Sequence, residues 1–231
     1  MKKIKIHIDG PSNKEINEYY KNVDGFTFNP SLFRKLKVSN YLAYTKSLLK
    51  MTKNKPLSIE VFADDEKNCL YQAKKISEIS KSIFVKIPIT YTSGKSTKNL
   101  IAKLNQLNIK LNITAIFTLK QIKQIYPVIR NENHILSIFA GRLYDIGIDA
   151  SKEFKKMSTF IKMKTKCKSL WASCRMTYDI KTAEKAGADI ITVPPAYLKK
   201  KKLFGLKPNK YSLDTVKGFY LDAKKSGFKI K

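Results

Sequence analysis

Tryptophan, histidine and cysteine are scarce in this sequence, which has one, two and three of them respectively. Cys69, Cys167 and Cys174 are odd in number and follow no metal-binding spacing, and His7 and His134 form no ligand-like pattern with them. We therefore predict reduced, structural thiols and no metal site. We also expect no cofactor.

Long apolar runs are also missing. The first ten residues, MKKIKIHIDG, alternate apolar and charged side chains, unlike the apolar stretch of a signal peptide, and no later run is long enough to cross a bilayer. No linker rich in glycine, serine or proline divides the 231 residues. We predict a soluble cytoplasmic protein without membrane association, folded as a single domain over residues 1–231.

Acidic side chains are few beside the basic ones. The chain has 46 lysines and arginines against 18 aspartates and glutamates, a formal net charge of +28. Such an excess raises the question of nucleic acid. However, the lysines are spread through all the predicted helices, and the one dense run, Lys199 to Lys202, has no interleaved stacking aromatics. We expect no specific nucleic-acid binding, and the spread charge fits a general attraction for phosphorylated metabolites.

Arginine contributes little to this charge and occurs only at Arg34, Arg130, Arg142 and Arg175. A guanidinium group binds phosphate through two parallel hydrogen bonds, which an ammonium group cannot do. Each arginine is therefore a candidate phosphate ligand.

Short apolar runs alternate with amphipathic stretches along the whole chain, which is typical of parallel βα units. The predicted strands cover residues 3–9, 25–29, 57–62, 83–87, 109–115, 134–139, 169–173 and 190–193. Eight parallel strands with intervening helices in a chain of this length predict an α/β fold, a single TIM-type (β/α)8 barrel.

An additional C-terminal helix is predicted at about residues 211–225. Its apolar side carries Leu213, Val216, Phe219, Tyr220 and Ala223. Two interpretations are open, because this helix either covers an end of the barrel or docks on a neighbouring subunit.

Polar residues end most of the predicted strands, where the chemistry of a TIM-type barrel is found. They are Asp9, Thr27 and Asn29, Glu60, Lys86, Asn112 and Thr114, Ser137, and Ser173 and Arg175. Residues two apart on a strand share a face. We therefore predict that both side chains of each pair, Thr27 with Asn29, Asn112 with Thr114 and Ser173 with Arg175, point into the barrel interior. Arg142 follows the sixth strand, at a position from which a loop reaches the barrel mouth.

Lys86 interrupts the run IFVKIPI, which is otherwise typical of a fully buried strand. Burial disfavours the ammonium form of a lysine and makes the amine a competent nucleophile toward a carbonyl. The alternative is a buried structural lysine paired with Glu60 or Asp9. We interpret His7, which shares strand parity with Asp9, as an interior histidine outside the site.

Taken in order, the strand-end segments resemble the transaldolases and the related short fructose-6-phosphate aldolases. The segments are residues 8–10 (IDG), 25–31 (GFTFNPS), 59–61 (IEV), 85–90 (VKIPIT), 112–114 (NIT), 137–142 (SIFAGR), 172–175 (ASCR) and 187–193 (GADIITV). Any one of them is a weak signal, whereas their succession at successive strand ends is a specific one.

The resemblance implies that Lys86 is the Schiff-base lysine and that Asp9 takes the proton from the C4 hydroxyl of the donor as its C3–C4 bond breaks. Glu60 and Thr114 would hold the water used in carbinolamine formation and proton relay. The resemblance also implies that Asn29 and Asn112 bind hydroxyls of the dihydroxyacetone portion, with Ser173 near the bound sugar and with Arg142 and Arg175 as a phosphate clamp. Thr27, Ser137 and Phe139 complete the predicted substrate-binding set.

The same resemblance implies an enzyme that transfers a dihydroxyacetone unit between ketose and aldose phosphates. The aldolase subfamily typically has glutamine at the position of Glu60 and tyrosine at that of Phe139, and Arg175 also follows the transaldolase pattern. The alternative is cleavage of fructose 6-phosphate with release of dihydroxyacetone. Phe28 and Cys174 depart from the family pattern and leave the preferred sugar open.

The short chain resembles the aldolase-like subfamily, whose members commonly form rings through the C-terminal helix. We therefore expect a homo-oligomer with sugar-phosphate substrates.

A third hypothesis, from a different class, is a catalytically silent barrel whose lysine-rich surface binds nucleic acid or an acidic partner.

Overall fold

The computed structural model describes residues 3–130 and 132–230. The chain divides into two compact units, Met1–Leu198 and Lys199–Lys231. That residues 1–231 act as one domain stays a prediction.

Eight strands, counted over the described residues, form the centre of the first unit. They are β1 (Lys5–Asp9), β2 (Gly25–Thr27), β3 (Leu57–Glu60), β4 (Ile83–Pro88), β5 (Leu111–Ile116), β6 (Ile135–Ile138), β7 (Lys168–Trp171) and β8 (Ile190–Val193). Each strand pairs in parallel with its neighbour in sequence, and β1 pairs with β8, which closes the sheet in chain order. The predicted TIM-type barrel is confirmed, with small differences only at the strand ends.

Helices alternate with the strands along the chain, and a helix also follows the last strand. They are α1 (Asn13–Tyr19), α2 (Pro30–Lys35), α3 (Tyr41–Met51), α4 (Glu66–Ser77), α5 (Lys98–Gln106), α6 (Leu119–Ile129), α7 (Ala140–Asp145), α8 (Ala150–Lys164), α9 (Asp179–Lys185) and α10 (Pro195–Lys200). A capping box opens α1, since the Ser12 and Glu15 side chains each accept from the other residue's backbone N–H.

The apolar faces of the helices pack on the outside of the barrel. In α5, Leu100 and Leu104 are fully buried. Leu107, which the sequence pattern places on the same face, is the residue that ends the helix and is 45% exposed. A smaller apolar cluster consists of Ile135, Leu170, Ala172 and Ile190, with Phe84 and Phe139 against it. These residues alternate with the outward-facing ones along their strands, so this cluster fills the barrel interior.

The three cysteines are buried free thiols, as predicted. Over residues 3–130 and 132–230, no helix is both long and apolar enough to span a bilayer. A cytoplasmic location stays a prediction.

The second unit contains a 3-10 turn at Lys201–Leu203 and the helix α11 (Pro208–Ser226). The predicted C-terminal helix is therefore present and slightly longer than expected. It ends at Gly227, whose left-handed φ of 64° suits a residue without a Cβ. Leu213, Val216, Phe219 and Tyr220 on its apolar side are all exposed.

Candidate active site

The carboxyl ends of the strands surround a pocket that collects nearly all the predicted site residues. Its lining consists of Asp9, Thr27, Asn29, Lys86, Asn112, Thr114, Ser137, Phe139, Arg142, Ala172, Ser173 and Thr192. Of the predicted set, Glu60 and Arg175 lie outside this lining. Ala172 and Thr192 line the pocket and were not predicted.

Lys86 is buried near the end of β4, between the fully buried Val85 and Ile87. Its Nζ lies 2.9 Å from Oε2 of Glu60 and donates to the Phe28 carbonyl oxygen at 3.4 Å. The ion pair follows from the parallel register, which places Glu60 of β3 directly beside Lys86. A structural lysine would make the same pair, so it is the position of the amine on the pocket wall that indicates chemistry.

Asp9 ends β1 and faces the same pocket. The Thr27 hydroxyl donates to its Oδ1 at 2.7 Å. Burial raises the pKa of the Asp9 carboxyl above its usual value, and the charge of Lys86 and the hydrogen bond from Thr27 oppose that shift. A carboxyl group held in this way is suited to accept and return a proton.

Two asparagine amides have their orientation fixed by the protein. Asn29 caps α2, with Oδ1 accepting from the Leu32 N–H at 2.9 Å. Asn112 is fully buried, and its Oδ1 accepts from Ser137 Oγ at 2.6 Å while its Nδ2 donates to Ser58 Oγ at 3.1 Å. Because both amide oxygens are occupied, the amides offer N–H donors to the pocket, which match the hydroxyl and carbonyl oxygens of a sugar.

Thr114 of β5 supplies a further polar group. Its Oγ1 is buried and has no hydrogen-bond partner within the described part of the chain. A buried hydroxyl without a protein partner is costly. This hydroxyl is therefore available to a bound water or to a substrate oxygen.

Of the two arginines predicted as a phosphate clamp, Arg142 lines the pocket and Arg175 does not. Arg142 belongs to α7, and its guanidinium carbon lies 5.4 Å from the centre of the Phe139 ring. Arg175 is bound instead by Asp145, whose carboxylate accepts from the Arg175 Nε at 2.8 and 3.1 Å. The strand β7 ends at Trp171 and Ser173 has a left-handed φ of 65°, so strand alternation does not extend to Arg175.

Gly141 brings the two arginine-bearing segments together. A Cβ at this position would lie 1.6 Å from the Ser173 carbonyl oxygen and 3.1 Å from the Arg175 Cγ. Only glycine allows the first turn of α7 to approach the end of β7 this closely. The backbone therefore places Arg142 beside the Ser173–Arg175 segment.

Three polar residues in or beside the site were not predicted from the sequence. Thr192 interrupts the apolar run IITV much as Lys86 interrupts IFVKIPI, so its signal was available. Ser58, whose hydroxyl accepts from Asn112, gave a similar signal as a polar residue within a short apolar strand. Tyr41 gave no sequence signal, because it lies on a separate helix, α3. Its hydroxyl donates to the Glu60 carbonyl oxygen at 2.5 Å.

Metal binding has no candidate group in the described ranges. No cluster of three or more histidine, cysteine, aspartate or glutamate side chains is placed to hold an ion there.

Sequence comparison gives a family match over nearly the whole chain. The family described as Transaldolase/Fructose-6-phosphate aldolase matches residues 6–230. A probable transaldolase of Parvibaculum lavamentivorans is 31% identical over 233 residues, covering 98% of this chain and 100% of that protein. A probable transaldolase of Bartonella henselae is 31% identical over 199 residues, covering 85% and 88%.

Structure comparison finds the same barrel in more distant proteins. Thiamine phosphate pyrophosphorylase from Pyrococcus furiosus superposes with a TM-score of 0.54 at 10% identity, covering 88% of this chain and 98% of that one. For 3-hexulose-6-phosphate synthase from Salmonella typhimurium the TM-score is 0.58 at 10% identity, with coverage of 84% and 90%. At such low identity the likeness concerns the fold alone.

Proposed function

Because the chain belongs to the transaldolase/fructose-6-phosphate aldolase family, we propose that it transfers a dihydroxyacetone unit between ketose and aldose phosphates through a Schiff base at Lys86. The observation that carries the proposal is the position of Lys86, buried on the wall of the pocket that Asp9 also lines, with its Nζ 2.9 Å from the Glu60 carboxylate. An iminium formed there serves as the electron sink for carbon–carbon cleavage.

Schiff-base formation requires the amine to lose its proton and water to leave the carbinolamine. Glu60 would accept the Lys86 proton, and the 2.9 Å between the two groups supports this role. The Thr114 hydroxyl, which has no partner in the described residues, would bind the departing water. In order, the neutral Lys86 nitrogen adds to C2 of the ketose to give the carbinolamine, Glu60 returns the proton to its hydroxyl, and departure of that hydroxyl as water leaves the C=N bond.

Cleavage begins when Asp9 takes the proton of the C4 hydroxyl. The C3–C4 bond breaks, C4 leaves as an aldehyde, and the bonding electrons enter the iminium to give an enamine. The reverse sequence with a second aldose forms the new bond and returns the proton from Asp9. Asn29 and Asn112 would hold the oxygens of the three-carbon unit through their N–H donors.

The phosphate of both sugars would bind at the arginine side of the pocket. Arg142 already lines it, and Arg175 would join it once a phosphate replaces the Asp145 carboxylate. The positive charge spread over the surface would favour the approach of anionic substrates.

Aldol cleavage with release of dihydroxyacetone is the second candidate. Glu60 and Phe139 favour transfer, because the aldolase subfamily typically has glutamine and tyrosine there. Cleavage assays with fructose 6-phosphate, with and without erythrose 4-phosphate, separate the two reactions. Release of dihydroxyacetone at equal rates in both assays would exclude the transfer reaction.

Borohydride reduction in the presence of fructose 6-phosphate tests the shared mechanism. We expect a trapped adduct on the peptide that contains Lys86, and no adduct in Lys86→Met. Lys55→Met is the matched control, because Lys55 is also partly buried but donates to the Tyr20 and Val23 carbonyls away from the pocket. An adduct mapping to another lysine would overturn the proposal.

We also propose that the protein is a homo-oligomer held by the apolar side of α11. Val216 and Phe219 are 59% and 70% exposed, and exposed apolar faces of this kind mark interaction sites. Val216→Asp should lower the mass measured by light scattering, whereas Lys217→Gln, with the same change in charge, should not. A monomeric wild-type protein would refute the assembly.

A further inference from the structure

Two threonine hydroxyl groups form a hydrogen-bonded chain that ends at the Asp9 carboxylate. Thr192 of β8 and Thr27 of β2 are both buried, and their Oγ1 atoms are 2.6 Å apart. The strands β8 and β2 flank β1 on its two sides. The barrel closure therefore brings Thr192 into contact with a residue 165 positions earlier in the chain.

The number of protons available fixes the direction of these hydrogen bonds. A hydroxyl carries one proton, and an ionised carboxylate can only accept. Thr27 gives its proton to Oδ1 of Asp9 at 2.7 Å. Consequently the Thr192 hydroxyl must be the donor in its hydrogen bond with Thr27, and the order is Thr192 to Thr27 to Asp9.

We propose that Thr192 is a positioning residue of the reaction, which donates to Thr27 and so strengthens the hydrogen bond that keeps Asp9 an oriented carboxylate. Hydrogen bonds in a buried chain polarise one another, so a donor at the far end strengthens the bond at the near end. The role in catalysis rests on the proposed function, whereas the hydrogen-bond chain itself does not.

Several other groups also shift the pKa of the Asp9 carboxyl, some in the same direction as the hydroxyl chain and some in the opposite direction. Burial is the largest effect and raises the pKa of Asp9; the charge of Lys86 and the Thr27 hydrogen bond lower it, and the charge of Glu60 raises it. The titratable groups that interact with Asp9 from the other strands and loops are Lys86, Glu60 and Cys174. Loss of the Thr192 donor weakens the Thr27 bond, so the pKa of Asp9 should rise.

His7, two residues before Asp9 on the same strand, is the remaining titratable group nearby. Burial lowers its pKa to about 4, so the ring is neutral near neutral pH. A neutral His7 adds no charge that would shift the pKa of Asp9.

Titration of Asp9 tests the proposal directly. Protein labelled with 13C at the aspartate side-chain carboxyl is followed by NMR against pH, and the Asp9 signal is assigned as the one lost in Asp9→Asn. Thr192→Val removes the donor at constant shape, and Thr192→Ser restores it. Thr52→Val is the matched control, since this hydroxyl is equally buried but donates to the Leu49 carbonyl in α3.

We expect the Asp9 midpoint to rise in Thr192→Val and to stay at the wild-type value in Thr192→Ser and Thr52→Val. On the acid side, kcat/KM for fructose 6-phosphate should fall about tenfold for each unit of the rise. The adduct trapped at Lys86 should persist in Thr192→Val, because Asp9 acts after the Schiff base has formed.

An unchanged Asp9 midpoint in Thr192→Val, or an equal rise in Thr192→Ser, would overturn the proposal. If circular dichroism shows that Thr192→Val does not fold, Thr192→Ala takes its place with the same expectations. A wild-type protein that forms no Lys86 adduct would refute the proposed function instead, and the NMR titration would still decide the hydroxyl chain.

Discussion

The carboxylate of Asp145 binds the guanidinium of Arg175 through both oxygens, which accept from Nε at 2.8 and 3.1 Å and from an Nη nitrogen. The hydrogen bonds from Arg175, then the charges of Arg175 and Arg142, lower the pKa of the Asp145 carboxyl. A carboxylate in this position offers the arginines the same kind of bidentate contact as a phosphate. Under the proposed function, Asp145 and a substrate phosphate would therefore compete for Arg175.

Asp145→Asn should strengthen phosphate binding, because the amide leaves Arg175 free for the ligand. We expect a several-fold lower inhibition constant for inorganic phosphate and a lower KM for fructose 6-phosphate, measured by steady-state kinetics. Asp64→Asn is the control, since that exposed carboxylate binds Thr92 and not an arginine. A higher KM in Asp145→Asn would instead assign Asp145 the role of orienting Arg175.

Gly141→Ala should disrupt both the fold and the arginine side of the pocket. Its Cβ would lie 1.6 Å from a backbone oxygen, so α7 must shift and carry Arg142 with it. We expect a marked fall in melting temperature and weaker phosphate binding. Gly218→Ala is the control, because nothing lies within 4 Å of its Cβ, and there the same change should stabilise α11 by about 0.5–1 kcal/mol. Equal melting curves for Gly141→Ala and wild type would contradict the close packing.

Ser58→Ala should weaken sugar binding through Asn112. The variant leaves a buried Nδ2 proton without its acceptor, which costs about 1–3 kcal/mol and lets the amide turn. Ser169→Ala removes another fully buried hydroxyl, one that interacts with Asp189 away from the pocket. Both variants should lower the melting temperature, but only Ser58→Ala should raise KM for fructose 6-phosphate. A normal KM in Ser58→Ala would mean that Asn112 needs no support from Ser58.

Stability should fall on acidification between pH 6.5 and 4. Burial lowers the pKa of both His7 and His134 to about 4, from 6.5 in the unfolded chain. In this range the unfolded chain binds protons that the folded chain does not, so the stabilisation is present above pH 6.5 and is lost as the pH falls. Each histidine contributes about 3 kcal/mol to this loss.

His134→Gln tests that pH dependence. The neutral ring accepts from the Leu111 N–H through Nδ1 at 3.3 Å and interacts with Asn105 Oδ1 through Nε2 at 2.7 Å, contacts that a doubly protonated ring could not all keep. Melting temperatures measured from pH 7.5 to 4 should decline less steeply for the variant than for wild type. An identical decline would mean that other groups control acid stability.

The sequence was sufficient to locate every strand of the barrel, because period-two burial and short apolar runs are local properties. Within a strand the same rule also placed side chains correctly, as for Asn112 and Thr114, which both line the pocket. The rule did not extend past Trp171, where the strand ends and the left-handed Ser173 changes the direction of the chain.

Interactions between separate elements of the barrel could not be predicted from sequence periodicity. The Thr192 contact with Thr27 joins strands that are not neighbours in the chain, and the Arg175 ion pair joins the β7 loop to the end of α7. Neither distance follows from local spacing. The pairing of Lys86 with Glu60 was foreseen as one of two options, since adjacent parallel strands place both side chains at the same level.

The pairing of β1 with β8 has a consequence for biosynthesis. One edge of β1 stays unsatisfied until β8, Ile190–Val193, has been made. Non-local pairing of this kind slows folding and leaves an unprotected edge that other chains can join. Chains truncated before β8 should therefore aggregate rather than retain partial activity.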